Sequence, residues 1–493
     1  MSTNMEKSFK TYIIKLLKSI DPTIGTTKES IEIMDDTFRY ITKHLVDVVN
    51  RVTIENNKKT VTLKEVVAAC DSLFHSEMRS DIVLNGNNAV YSFRDYSLGE
   101  LEKQKATKVM KQSKAGIILS VSLVESYMRN STKLKIGIQS MIYLASSIET
   151  FMKEFITSAG SVSKTNKRVR INTRDLFIGV NNNSKLSYVM DKVNIVYLGT
   201  GVIPNIDERI IDSYVQKTKL KRKNKKSGEN TVNAEVSAES NEEENSGETS
   251  GENAGENAGE NAGDNSTEKT KQKWRPGTVS LRDIKSLQKS TENQLCKSHV
   301  KQLCLFICKE YETNCMMTDE SRNILHSLVE RDVLKMFYEA NRWCLHSGRT
   351  TLSLNDINES IKNIGGMNGV LEYDKEGFSD PAITRLAKRA GVYRVGKGVC
   401  DFTRDYICHL FYRYISSCVR LKDSMDKKII NLNIVKTTMS IYHGINIATS
   451  NSLKKSSKNR KSSKEEGGEG EACEEELESE SVDLEDESEL VVE

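Results

Sequence analysis

The segment TNKRVRINTRD, residues 165–175, sets Lys167, Arg168, Arg170 and Arg174 within eleven positions, with Val169 and Ile171 between them. Cations packed that closely are suited to phosphate oxygens. Asn172 follows, and Asp175 stands three positions later, the pattern of a helix N-cap with a capping-box-like acid. Cations and helix-start amides on one surface make a seat for phosphate. The same grammar occurs three more times. Lys58-Lys59-Thr60-Val61-Thr62 precedes Glu65, Arg349-Thr350-Thr351-Leu352-Ser353 precedes Asp356, and Lys427-Lys428-Ile429-Ile430-Asn431 precedes Ile434, which departs from the acid. One charged turn is usually just solvated; four in register point to a shared polyanionic ligand.

Other chemistry is sparse. Cys296, His299, Cys304 and Cys308 have loosely zinc-like spacing, but on one helix they point about 0°, 300°, 80° and 120° around the axis and cannot converge tetrahedrally. RVGKG at 394–398 lacks the spacing and the Ser/Thr of a P-loop. No Ser-His-Asp or paired-carboxylate set stands out, so neither an enzyme, a cofactor nor a metal is expected.

The turns need elements to hold them. Ile31, Met34, Phe38, Ile41, Leu45, Val48 and Val52 alternate spacings of three and four, as do Met141 to Ala159, Ile407 to Met425 and, more loosely, Leu325 to Ala340. Each puts one apolar stripe on a long helix. Shorter periodic stretches bracket them: Phe9–Ile20, Ile117–Met128, Val300–Tyr311 and Ala382–Ala390 before, Leu63–Phe74, Arg174–Val180, Leu354–Ile361 and Leu432–Tyr442 after. The repeating unit is therefore short helix, loop, long helix, basic loop, short helix. Only Pro22, Pro204, Pro276 and Pro381 interrupt 493 residues, which favours an all-α chain.

The formal charge of +3 conceals a strong asymmetry. Of 69 acidic residues, 12 fall in Gly228–Glu268 and 15 in Glu465–Glu493, neither of which holds Lys or Arg. The remainder sets 72 basic residues against 42 acidic ones, about +30, the footprint of a polyanion binder. GENAGENAGENAGDN (251–265) is a low-complexity repeat that cannot bury a core and is expected to be disordered, as is the acidic tail. The tail reads either as a solvated solubility tag or as a competitor of the polyanion for the basic surface. No apolar run long enough to cross a membrane occurs, MSTNMEKSFK lacks an apolar signal core, and the ten scattered cysteines read as reduced thiols.

The motifs resemble the core histones, each unit a different one. FKTYIIKLLKSIDPTIG (9–25) with NNKKTVTLKEVV (56–67) resembles histone two-B. SKAGIILSVSLVESYMR (113–129), NKRVRINTRDL (166–176) and GTGVIPNI (199–206) resemble histone two-A. KWRPGTVSLRDIKSLQKSTE (273–292) resembles the segment leading into histone three, and DPAITRLAKRAGVYRV (380–395) the start of histone four. The resemblance implies an all-α chain of four histone folds forming two handshake heterodimers, a fusion of the kind associated with giant DNA viruses. The implied domains are 5–95 (two-B-like), 108–215 (two-A-like with a docking segment), 216–273 (disordered linker), 274–362 (three-like), 373–447 (four-like) and 451–493 (disordered tail). Short joints at about 95–112 and 363–378 connect the members of each pair. A linker of some 50 flexible residues, spanning about 40 Å, connects the pairs.

The resemblance also implies a role for particular residues. Phosphate and minor-groove contacts fall on Lys58, Lys59, Thr60, Arg129, Lys135, Lys167, Arg168, Arg170, Arg174, Trp274, Arg275, Thr278, Arg282, Lys297, Arg349, Thr351, Arg385, Lys388, Arg389, Arg394, Lys427 and Lys428. Lys58 and Lys59 would lie near Lys135, and Arg170 near the first loop of the two-B-like unit. Trp343, His346 and Asp356 fall where two chains would meet, and Glu77, Glu149 and Glu154 are a residual acidic patch. The implied function is DNA packaging: two copies would form an octamer-like core that wraps double-stranded DNA without sequence specificity. The alternative is a histone-fold regulatory scaffold that pairs by handshake and wraps little DNA. Implied partners are double-stranded DNA, a second copy and host or viral chromatin factors, with no membrane; implied locations are virion, viral factory or host nucleus. Leu123 and Met316 stand where the family has DNA-contacting arginines. Aromatics that would join the two-B-like unit to the four-like unit are absent, with Leu421 and Lys436 on one side, which implies a looser particle.

Overall fold

The computed structural model describes residues 8–102, 109–206, 278–311, 315–364 and 378–450. Trp274, Arg275, the acidic linker and the tail lie outside the described residues, as do parts of both short joints.

The described chain is mostly helical. The first unit comprises α1 (Lys10–Ile20), α2 (Lys28–Glu55), α3 (Leu63–Leu73) and α4 (Ser76–Glu102). The second comprises α5 (Lys111–Lys114), α6 (Val121–Ser131), α7 (Ile138–Thr165), α8 (Thr173–Asn182) and α9 (Ser184–Val193). The third holds α10 (Thr278–Lys289), α11 (Lys297–Glu310), α12 (Asp319–His346) and α13 (Leu354–Ile364). The fourth holds α14 (Asp380–Arg389), α15 (Val399–Ser424) and α16 (Leu432–His443). The long helices α2, α7 and α12 each run 28 residues, and α15 runs 26. Helix α4 passes residue 95, so the joint expected from there begins as helix.

The ends of the long helices are chemically fixed. Thr27 and Thr318 cap α2 and α12 by accepting from the Ser30 and Ser321 amides, both at 3.3 Å. Beyond the last turn of each long helix stands one residue in the left-handed region: Asn57, Lys167, Gly348 and Asp426. That conformation turns the chain sharply out of the helix. The next helix then starts on a cap: complete capping boxes at Thr62/Glu65 and Asn172/Asp175, and Asn431 accepting from the Ile434 amide at 3.0 Å.

Short parallel strands join the units head to tail. In the first half, β1 (Gly25–Thr26) pairs with β4 (Arg170–Ile171), and β2 (Thr60–Val61) with β3 (Lys135–Ile136). In the second, β6 (Met316–Met317) pairs with β9 (Ile429–Ile430), and β7 (Thr351–Leu352) with β8 (Arg394–Val395). Each first loop thus meets the second loop of its partner unit. Buried serines lock the joins: Ser30 donates to the Ile171 carbonyl at 3.1 Å, Ser140 to Val61 at 3.2 Å and Ser321 to Ile430 at 3.0 Å. Each pair encloses one apolar core, centred on Phe38, Phe151 and Phe155 in the first and on Phe337, Phe411 and Val333 in the second.

The halves are joined by β5 (Ile195–Tyr197) and β10 (Asn446–Ala448), which pair in parallel. Ala448 sits in the first core, and Val196 and Leu198 in the second. Tyr40 donates to the Ile447 carbonyl at 3.2 Å. Lys436 donates to Asp36 at 2.6 Å, an ion pair about one-fifth exposed on each side. An ion pair therefore stands where the family resemblance implies an aromatic contact. Cys304 and Cys308 are buried in the second core, whereas Cys296 is exposed at the cap of α11. Burial pushes the Cys304 thiol up to about 12.

Candidate nucleic-acid interface

The four loop pairs form four ends, two on each half. At the β2–β3 end, Lys135 lies opposite Thr60, and its amide donates to the Lys59 carbonyl at 3.2 Å. At the β1–β4 end, Arg170 lies opposite Gly25, whose amide donates to the Val169 carbonyl at 2.8 Å. At the β7–β8 end, Arg394 lies opposite Thr351. Lys59, Lys135, Lys167, Arg170, Thr351 and Arg394 are exposed, and Thr60 is half-buried. The structure thus brings together loop cations that lie far apart in the sequence.

One cation in each of three loops has a further attachment. Lys58 is bonded to Glu65, Arg168 to Asp175 at 3.0 Å, and Arg349 to Asp356 through two bonds of 2.6 and 3.0 Å. Each acid is also the capping residue of the following helix, and each is buried. Burial alone would raise the Glu65 carboxyl, but Lys58 and Thr62 outweigh it and hold it at about 2. Asp356 is lowered in the same way: burial opposes, and Arg349 and Ser353 prevail. These three cations brace the loop from within and keep one side toward solvent, at 41, 44 and 44% exposure. The fourth loop lacks the acid, and Lys427 and Lys428 are exposed. The brace has a signal in the sequence: Lys58, Arg168 and Arg349 each stand seven residues before their acid.

One expected phosphate contact, Arg389, is corrected by burial, and a second, Arg174, is half-buried. Arg389 is 4% exposed and donates to the carbonyls of Glu292 at 2.9 Å and Ser290 at 2.7 Å. It ties α14 to the chain entering α11, and phosphate cannot reach it. Arg174 is half-buried under Gly201, where an added Cβ would stand 2.7 Å from its Nη1. Burial pushes its guanidinium below the usual range, and its Nη1 lies against Gly201 in the segment after β5. The remaining candidates lie on helices. Arg129 is exposed and paired with Glu125 at 2.7 Å, and Lys388 is held by Asp283 at 2.8 Å. Arg385 is exposed and reaches the Gln294 carbonyl at 3.4 Å. Arg282 and Lys297 are exposed on α10 and α11, with Thr278 opening α10.

The acids are taken up locally. Glu149 is 3% exposed and accepts from the amides of Ile118 at 2.7 Å and Leu119 at 2.8 Å, with Lys153 at 2.8 Å. Lys185 pairs with Glu77 at 2.7 Å and draws its carboxyl below the usual range. Asn183 donates to Glu154 at 2.7 Å. The three carboxylates of the residual acidic patch thus all have partners, and Glu149 is a buried staple. Glu330 repeats the staple on α12, accepting from the Gln294 and Leu295 amides at 2.7 Å each, and Asp35 does so on α2 for the Phe9 amide at 2.6 Å. Sequence patterning missed this role because a buried acid inside a helix looks like any surface acid. Trp343 is 43% exposed and His346 is exposed, while Asp356 is turned into its own loop.

The family model for the core histone domain, which takes in histones two-A, two-B, three and four, matches residues 276–363. The chain carries a histone-fold domain. Two similar proteins are histones of the two-A type. That of Tetrahymena pyriformis is 29% identical over 112 residues, 22% of this chain and 83% of that protein. That of Tetrahymena thermophila is 28% identical over the same shares. The crystal structure of the histone from Methanopyrus kandleri aligns over 30% of this chain and 93% of its own at 18% identity, with a TM-score of 0.26. The matched histone-fold domain contains α11, α12, α13 and the β7 loop with its Arg349 brace.

Proposed function

We propose that this chain is a DNA-packaging protein built from four histone folds in two handshake pairs, with two copies forming an octamer-like core. The observation that carries the reading is the set of three loop-pair ends with an exposed cation at one register position: Lys135, Arg170 and Arg394. They stand on a body of about +30, in a chain with a histone-fold domain. Such a surface neutralises phosphates, and the released counterions drive binding. Phosphate contacts carry no sequence information, so on this reading binding is independent of sequence and the role is structural. Trp343 offers apolar surface for the second copy. The reading fits a viral genome held in a virion, viral factory or host nucleus.

The test is binding of the full chain to two unrelated duplexes across a salt series. Arg170→Ala should weaken both alike and lower the salt slope by about one. A loss confined to one duplex, or no loss, contradicts the proposal.

A further inference from the structure

The four loop-pair ends are built on one plan and differ at one point. In every end the inner register pair holds a buried apolar residue: Ile171, Val61, Met317 with Ile430, and Leu352. The outer pair faces solvent. It is Gly25 with Arg170, Thr60 with Lys135, Thr351 with Arg394, and in the last end Met316 with Ile429. Met316 is 66% exposed and Ile429 is 46% exposed. Their inner neighbours Met317 and Ile430 already close the join, at 7 and 0%, so the fold does not require an apolar outer pair.

What surrounds the pair limits what it can bind. Lys427 and Lys428 run directly into Ile429, both are exposed, and no capping acid follows to brace them. On the other side Arg322 is bonded to the Met317 carbonyl at 2.6 Å and to Asp319. The result is an apolar tip with two unbraced lysines on one side, at the position where the other three ends present a cation. A flexible methionine and a branched isoleucine beside two phosphate-seeking lysines fit a DNA minor groove. Apolar side chains there ride on sugar edges or enter a base step and kink it.

We propose that the Met316–Ile429 end is an apolar minor-groove wedge, anchored by Lys427 and Lys428. The inference rests on the DNA-packaging reading and adds to it a local preference for deformable DNA. Pyrimidine–purine steps unstack most easily, so they should gather where this end touches.

The experiment reconstitutes the full chain on a pool of random duplexes, sequences the retained DNA, and measures affinity across salt. The variants are Met316→Ala with Ile429→Ala, Met316→Arg, and Arg170→Ala. The double alanine variant should weaken binding by roughly ten-fold with an unchanged salt slope, and lose the enrichment of pyrimidine–purine steps. Met316→Arg should steepen the salt slope by about one and lose the same enrichment. Exposed positions tolerate both changes, and circular dichroism of each variant should match the parent. If both variants keep the parent's affinity and step enrichment while Arg170→Ala still weakens binding, the wedge is refuted and the packaging reading stands. If they instead abolish self-association and leave DNA binding unchanged, the tip is a protein contact and the wedge is equally refuted. If Arg170→Ala also has no effect, the packaging reading itself fails.

Discussion

Lys58, Arg168 and Arg349 each stand seven residues before an acid, and each is bonded to that buried acid, which caps the next helix. The loop is thereby stiffened before any ligand arrives, which lowers the ordering cost of binding. The same bonds make stability depend on acid. Glu65 sits at about 2 in the folded chain, against an ordinary glutamate value of about 4.3. Its contribution is complete above the ordinary value and is lost as pH falls through the folded one. Unfolding in a fixed concentration of urea should therefore set in between about pH 4.3 and 2, and Glu65→Gln should flatten that limb. An identical acid limb in the variant, followed by circular dichroism, would contradict the brace. At this scale the sequence was half legible. The seven-residue spacing from cation to acid stands in plain view, and Arg389 stands seven residues after buried Ala382, on the same helical stripe. The staples Glu149 and Glu330 were not legible, because the amides they hold lie 30 and more residues away.

The elements follow from periodicity and caps. A stripe at spacings of three and four is a helix wherever it can be buried, and Thr27, Asn172, Thr318 and Asn431 mark where helices begin. What periodicity does not carry is how closely two helices approach. Gly179 on α8 faces the α7 backbone: an added Cβ would stand 2.9 Å from the Ala159 Cα and 3.0 Å from the Ser158 carbonyl carbon. Ser158 also donates to the Gly179 carbonyl at 2.8 Å, so the two helices are pinned at that point. Backbone cannot move aside as a side chain can. Gly179→Ala should cost about 1–3 kcal/mol in chemical denaturation. Unchanged stability would mean that α7 and α8 do not meet as described. Within its helix Gly179 looks like a mild defect, and only the partner helix explains it.

At the scale of the whole molecule, the order of units along the chain matters as much as their fold. The residues that join the halves, such as Ile195 to Asn446 and Asp36 to Lys436, lie some 250 to 400 positions apart. No local pattern predicts such pairings, and the substitution of an ion pair for aromatics at Lys436 was visible only as a loss. The docked halves place four loop-pair ends on one body, three of them with a cation at the outer register position, and the packaging reading asks such ends to bend a stiff polyanion. The decisive measurement is nuclease digestion of the full chain reconstituted on long double-stranded DNA. Wrapping around a two-copy core predicts a discrete protected length of about 100–150 base pairs. A continuous smear with no protected length, from a chain that still folds and self-associates, would contradict packaging and leave a histone-fold scaffold that wraps little DNA.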